Sequence, residues 1–148
     1  MKINTKYFGK IERDCSKIIQ FANGLPGFNE ETEFVLLDLP DAPLFQVLQS
    51  VQTEHVAFIT SNPHAIYPEY AFRLDDNTID QLQIQSEEDV AVLAILTLKK
   101  PFENSTINLK APLIINHRTK LGKQYILNKD TYSSTASIQP AFAESEEK

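Results

Sequence analysis

The chain has 148 residues, 42% of them hydrophobic, and 14 Lys and Arg against 20 Asp and Glu give a net charge of −6. That length fits one domain with its own core, and the longest apolar run, Val90 to Leu96, falls well short of the roughly 18 residues needed to cross a bilayer. An acidic balance argues against direct nucleic-acid binding, which is carried mainly by Lys and Arg on phosphate, while a lone cysteine, Cys15, forms no internal disulfide and fits the cytoplasm.

Met1 to Lys10 alternates polar and apolar residues without an apolar centre, so it reads as a strand over Lys2 to Phe8 rather than a signal peptide. A second strand is expected over Ser16 to Phe21, running into I-Q-F-A-N-G-L-P-G-F at Ile19 to Phe28. There Pro26 fixes φ and Gly27 is free to take φ > 0, which makes a turn flanked by the apolar Leu25 and Phe28. Phe28 reads first as folding back onto the core and second as an anchor for a partner. Strands follow over Glu33 to Asp38, Leu44 to Val51 and Val56 to Thr60, with Phe45, Val47 and Leu48 directed to the core and Gln46 and Gln49 outward. Pro40 to Pro43 and Asn62 to Pro63 are turn signals, His64 to Tyr70 reads as an irregular loop, and Ala71 to Leu74 as a short strand.

A short helix is expected over Asn77 to Leu82, because Asp75, Asp76 or Asn77 can cap it and Ile79 and Leu82 lie three apart on one face. Val90 to Lys99 is almost continuously apolar, as in a strand covered on both sides or a buried helix, and its Val, Ile and Thr favour the strand. The last strands are Thr106 to Leu109, Leu113 to Asn116 and Lys123 to Leu127. Pro112 cannot donate to a ladder and pushes Ala111 toward extended geometry, which suits an edge or a strand start, and Gly122 supplies the turn that follows. From Ser133 the sequence is small, polar and acidic, so 133–148 is expected to be a flexible tail behind a domain at 1–132. The fold class is all-β: a compact, antiparallel, barrel-like single domain with one or two short helices.

Charge is unevenly spread. Between Ile18 and Leu98 one base, Arg73, faces thirteen acids, a net of −12, whereas from Lys99 to Lys129 seven bases face only Glu103, a net of +6. The acids at Asp75, Asp76, Asp80, Glu87, Glu88 and Asp89 are ordinarily a solvated face, and they also suit docking to a basic protein surface. None is paired across a cleft in the manner acid–base catalysis needs. His55, His64 and His117 stand apart from one another and from other ligand types, so they read as surface residues and no metal is expected. Cys15 has Arg13 and Lys17 to either side, which would favour a thiolate, but nothing near it in sequence supplies a base. N-G-L-P-G lacks the lysine of a phosphate-binding loop, and no cofactor is expected.

Two stretches, I-Q-F-A-N-G-L-P-G-F at Ile19 to Phe28 and N-L-K-A-P-L-I-I-N followed by G-K-Q-Y-I-L between Asn108 and Leu127, resemble the FliW family of bacterial flagellar assembly factors. The resemblance covers about Lys2 to Tyr132. It implies a cytoplasmic, non-catalytic protein with two partners, flagellin and the RNA-binding translational regulator CsrA. In that family the factor stops CsrA from repressing flagellin translation, newly made flagellin competes for the factor, and secretion of flagellin resets the switch. With that implication, Asp75, Asp76, Asp80, Glu87, Glu88 and Asp89 are the expected CsrA-docking residues, and Leu25, Phe28, Phe45 and Leu48 the expected flagellin contacts. The free chain is expected to be a monomer. Two other classes stay open: a cytosolic hydrolase using Cys15 with a histidine, and a small β-barrel RNA- or carbohydrate-binding module using Lys99 to Lys129.

Overall fold

The computed structural model describes residues 2–25, 27–127 and 131–139. It opens with a hairpin, β1 (Lys2–Thr5) and β2 (Gly9–Glu12), where the alternation alone suggests one strand to Phe8. Thr5 and Gly9 make the difference: Phe8 N–H donates to Thr5 Oγ1 (2.9 Å), that hydroxyl donates to Gly9 O (2.6 Å), and Gly9 takes φ +67°, which glycine tolerates. A 3-10 turn at Cys15–Lys17 leads into β3 (Ile19–Phe21), β4 (Glu33–Asp38), β5 (Phe45–Ser50) and β6 (Ala57–Ser61). Two short helices follow, α1 (Pro63–Ile66) and α2 (Asp76–Gln81), and then β7 (Val90–Thr97), β8 (Thr106–Ile107), β9 (Leu113–Asn116), β10 (Leu121–Gln124) and β11 (Ala136–Ser137).

Seven strands close on themselves in the order β7-β6-β5-β4-β3-β10-β9, with β9 pairing back onto β7 through Val90↔Asn116 to Leu93↔Leu113. Strict antiparallel alternation cannot close a ring with an odd number of strands. One neighbour pair must be parallel, and it is β3 with β10, through Gln20↔Leu121 and Phe21↔Gly122. The barrel is thus all-β, as expected, with a single exception to the antiparallel rule that its strand count requires. Pro112 sits at a strand start, since β9 is flanked by β10 and β7.

The wall is buried on both sides over much of its length. Phe21, Phe34, Leu48, Leu93, Leu113 and Ile115 form one apolar cluster, whereas Val35, Leu37 and Val47, their neighbours along the strands, pack with Ile3 under the β1–β2 hairpin. Likewise Leu93 joins the first cluster while Ala94 and Leu96 join a third, with Ile66, Tyr70, Ile107 and Ile138. This accounts for the continuous apolar run in β7: a strand covered on both faces has no solvent side to mark with polar residues.

Further expectations change, among them the last strand, which is β10 at Leu121–Gln124 rather than Lys123 to Leu127 and contains Gly122 instead of following it as a turn. Gln49, expected to point outward, is 0% exposed, because the N-terminal hairpin covers that face. Its Oε1 accepts from Lys6 N–H (2.9 Å) and its Nε2 faces Ser50 O and Glu54 O, both at 3.0 Å. The loop expected from His64 begins as α1, with Asn62 Oδ1 accepting from His64 N–H (2.9 Å) as N-cap and Pro63 in the first turn, where its missing N–H costs nothing. Ala71 to Leu74 is not a strand. Tyrosine hydroxyls take over its backbone groups: Tyr132 Oη lies 3.0 Å from both Ala71 N and Ala71 O, and Tyr125 Oη lies 3.2 Å from Arg73 O. Finally, order extends past Tyr132, since Leu109 N–H donates to Ser133 O (3.0 Å), β11 pairs with β8 and Ile138 is fully buried. Residues 140–148 of the expected tail lie outside the described residues.

Candidate functional site

Helix α2 and the 3-10 turn Glu87–Asp89 carry the acidic residues singled out in the sequence, and the structure divides them by role. Asp75 is the N-cap of α2. Its Oδ1 accepts from Thr78 N–H (2.8 Å), and hydrogen bonding by Thr78, with Lys123 contributing, holds its carboxyl below the usual range. Asp89 accepts from Gln85 N–H (3.0 Å) and Ser86 N–H (3.4 Å) and meets Arg118 Nε at 3.5 Å, so it too is held low, chiefly by the Gln85 N–H. Asp76, Asp80, Glu87 and Glu88 are exposed. Asp75 and Asp89 therefore hold the segment, and Asp75, itself exposed, stands with the other four in presenting charge to solvent.

The basic stretch folds back against this acidic face. Arg118 reaches Asp89 and donates to Gln83 O (2.8 Å), and Lys123 Nζ donates to Gln81 Oε1 (2.8 Å). Asn116, the polar end of L-I-I-N, holds the two together. Fully buried, it donates through Nδ2 to Leu82 O (2.8 Å) and Gln83 O (3.1 Å) at the end of α2. Its Oδ1 accepts from Arg118 N–H (2.9 Å) and Thr119 N–H (3.2 Å) in the β9–β10 turn. Sequence reasoning missed this residue as a positioning group; the available signal was an asparagine closing an otherwise apolar strand. Beside the acidic rim runs an open groove of about 780 Å³, walled by Phe72, Leu74, Ile79, Ile84 and Val92, with Arg73 and Glu87 at its edge.

The four apolar residues expected to meet a partner are not brought together on the surface. Leu48 and Leu25 are buried in the first cluster, and Phe45 is buried in another. Phe28 is 40% exposed and packs edge-on against Phe58, ring centres 5.4 Å apart. The turn that carries it is as the sequence suggests: Phe28 N–H donates to Leu25 O (2.7 Å) and Gly27 takes φ +83°. Phe45 borders a second apolar groove of about 480 Å³, with Leu98 and Phe102 on its wall.

Cys15 is exposed in a shallow depression lined, among the described residues, by Glu12, Arg13 and Asp14, with no histidine beside it. His64 lies against Tyr70 and His117 Nε2 against Glu88 O (2.5 Å). Among the described residues no group of three or more His, Cys, Asp or Glu is placed to hold a metal ion, and no helix is long and apolar enough to cross a membrane.

A closed seven-stranded barrel with a short capped helix and a charged rim beside an apolar groove defines the class: a small β-barrel protein whose distinctive chemistry lies on exposed surfaces. The FliW protein family model matches residues 2–138. The chain is 58% identical over 139 residues to the flagellar assembly factor FliW of Oceanobacillus iheyensis, covering 94% of this chain and 95% of that protein. It is 50% identical to the flagellar assembly factor FliW of Bacillus velezensis, covering 90% and 94%. A crystal structure of the flagellar assembly factor FliW superposes with a TM-score of 0.89 at 46% identity, covering 93% of this chain and 96% of that one. The chain belongs to the FliW family and is a flagellar assembly factor.

Proposed function

We propose that the protein acts in the cytoplasm, without catalysis, as a partner switch between flagellin and the RNA-binding regulator CsrA. Bound to CsrA, it relieves repression of flagellin translation; newly made flagellin displaces it, and flagellin secretion returns it to CsrA. The observation that carries this reading is the exposed carboxylate set Asp76, Asp80, Glu87 and Glu88, displayed on elements that Asp75, Asp89 and Asn116 hold in place. Such a face is complementary to a basic protein, speeds encounter with it and repels RNA from the complex. The free protein is taken as a monomer. For flagellin, the accessible contact is Phe28 on Phe58, supported from beneath by Leu25 and Leu48, with Phe45 reached through its own groove.

The test is CsrA affinity as a function of salt for the quadruple variant D76K/D80K/E87K/E88K. Affinity falls and the salt dependence flattens if these carboxylates steer docking; an unaltered salt slope rules the assignment out. Hydrogen exchange on the flagellin complex tests the second contact, and protection confined to Lys99 to Lys129 would exclude it.

A further inference from the structure

We infer that the groove beside the acidic rim takes up an extended segment of a partner protein, apolar and basic in alternation, as an added β-strand. Its backbone template is residues 71–74. Ala71 N–H donates to Tyr132 Oη, which donates back to Ala71 O, both at 3.0 Å. Asp75 N–H donates to Tyr125 Oη, which donates to Arg73 O, both at 3.2 Å. In extended chain the N–H and C=O of one residue share an edge, and successive residues alternate between edges. The tyrosines therefore occupy the edge of Ala71, Arg73 and Asp75, and the opposite edge carries the N–H and C=O of Phe72 and Leu74. Among the described residues, none of those four groups has a hydrogen-bond partner. A row of unpaired backbone groups of this kind is a template for another strand.

All of residues 71–74 line the groove, whereas Tyr125 and Tyr132 do not, so the open edge is the one that borders it. Phe72, Leu74, Ile79, Ile84 and Val92 are each half-buried, and the volume of about 780 Å³ lies within the range of sites that engulf a ligand. A segment hydrogen-bonded to Phe72 and Leu74 sends every second side chain toward this apolar lining. The side chains in between meet a rim where Asp75, Asp76, Asp80, Glu87 and Glu88 are exposed and Arg73 is the only Lys or Arg among residues 64–89, which favours Lys or Arg on the partner. An amphipathic helix satisfies its own backbone and would leave Phe72 and Leu74 unpaired, so the open edge selects a strand. The basic half of this recognition rests on the proposed docking of a basic protein to the acidic face; the backbone half does not.

Amide exchange on isotope-labelled full-length protein tests the strand seat, with a blocked heptapeptide alternating Lys and Val added to millimolar concentration and, separately, with CsrA. Exchange at the Phe72 and Leu74 amides is expected to slow by about tenfold or more on binding the peptide, while the Asp75 amide, already bonded to Tyr125, changes little. Leu74→Pro removes one donor from the open edge, and Arg73, already extended, accommodates a following proline. It should bind the peptide about tenfold more weakly than Leu74→Ala, which loses the side chain alone. Exchange is read on the wild-type chain, so it decides even if Leu74→Pro folds poorly. Unchanged Phe72 and Leu74 exchange with both ligands overturns the strand seat, as do equal affinities of the two folded variants. So do shifts of the Ile79, Ile84 and Val92 methyls without amide protection, which would make the occupant a helix. Peptide protection without CsrA binding keeps the strand seat and removes CsrA from the acidic face, whereas CsrA binding with both amides unprotected by either ligand does the reverse.

Discussion

Replacing Gly122 by Ala tests how the two recognisable stretches of this chain meet. Gly122 reads from sequence as a turn residue, yet it lies inside β10, opposite Phe21 of β3, and its φ is not in the left-handed region. Space is what it supplies: a Cβ there would stand 2.7 Å from Phe21 Cζ and 2.8 Å from Cε2. Carbon atoms in contact prefer about 3.5–4.0 Å, so the ring would have to retreat by roughly 1 Å. It has nowhere open to go, being fully buried and stacked edge-on against Phe34 at 5.5 Å. Overpacking of this kind costs about 1–3 kcal/mol, partly offset by about 0.4–1 kcal/mol from the stiffer unfolded chain. A net loss of about 1–2 kcal/mol should lower Tm by roughly 3–6 °C for a domain of this size. Thermal unfolding by circular dichroism reads it directly. The decisive control is the same change made in a Phe21→Leu background, where the clashing ring atoms are gone and Ala should be nearly neutral. A Gly122→Ala protein as stable as the wild type, or an equal loss in both backgrounds, would refute the steric argument.

Three further perturbations follow from polar side chains that hold backbone groups. Gln49→Leu keeps the volume but strips Lys6 N–H and Glu54 O of their partner, and should cost about 1–3 kcal/mol by urea unfolding, with the β1–β2 hairpin losing hydrogen-exchange protection first. Asn116→Ala removes four hydrogen bonds between the α2 end and the β9–β10 turn. A loss of about 2–4 kcal/mol is expected, together with weaker CsrA binding although no carboxylate is altered; unchanged stability would show that water replaces the amide. Asp89 is held below the usual carboxylate range in the folded protein, so its contribution is present above the unfolded-state pKa and lost as pH falls through the folded-state value. From about pH 6 to about pH 3 the wild type should therefore lose more Tm than Asp89→Asn, and parallel Tm curves would remove Asp89 from the acid limb.

Where the sequence spoke clearly, a local rule was enough. The strands Glu33–Asp38 and Leu113–Asn116 are apolar runs closed by polar residues, and the helix after Asp75 is capped by that residue's own side chain, so their limits are legible. Gln49 was misread because alternation assigns polar residues to water, and here the second face of β5 is covered by a hairpin from the far end of the domain. Ala71 to Leu74 has strand-forming residues, but its hydrogen-bond partners are tyrosines 52 to 61 positions away, which no local pattern contains. The acidic excess was countable from composition. That Arg118 and Lys123 fold back among those acids, leaving four free carboxylates, depends on Asn116 joining β9 to α2 across more than 30 residues of chain.

The residues that made the family recognisable are also those that close the barrel. I-Q-F and G-K-Q belong to β3 and β10, the parallel pair that an odd-stranded ring demands, and L-I-I-N is β9, which seals it against β7. Those positions answer to packing at the seam, where the Phe21 ring occupies the space a Cβ at Gly122 would need. Asp76, Asp80, Glu87 and Glu88 answer to no such constraint, since each faces solvent. Fold and the proposed CsrA binding should then separate cleanly under mutation: Gly122→Ala lowers Tm while the remaining folded protein keeps that binding, and the quadruple charge reversal alters it with little change in Tm. If reversing the four exposed acids unfolds the protein, the division between supporting and displayed carboxylates is wrong.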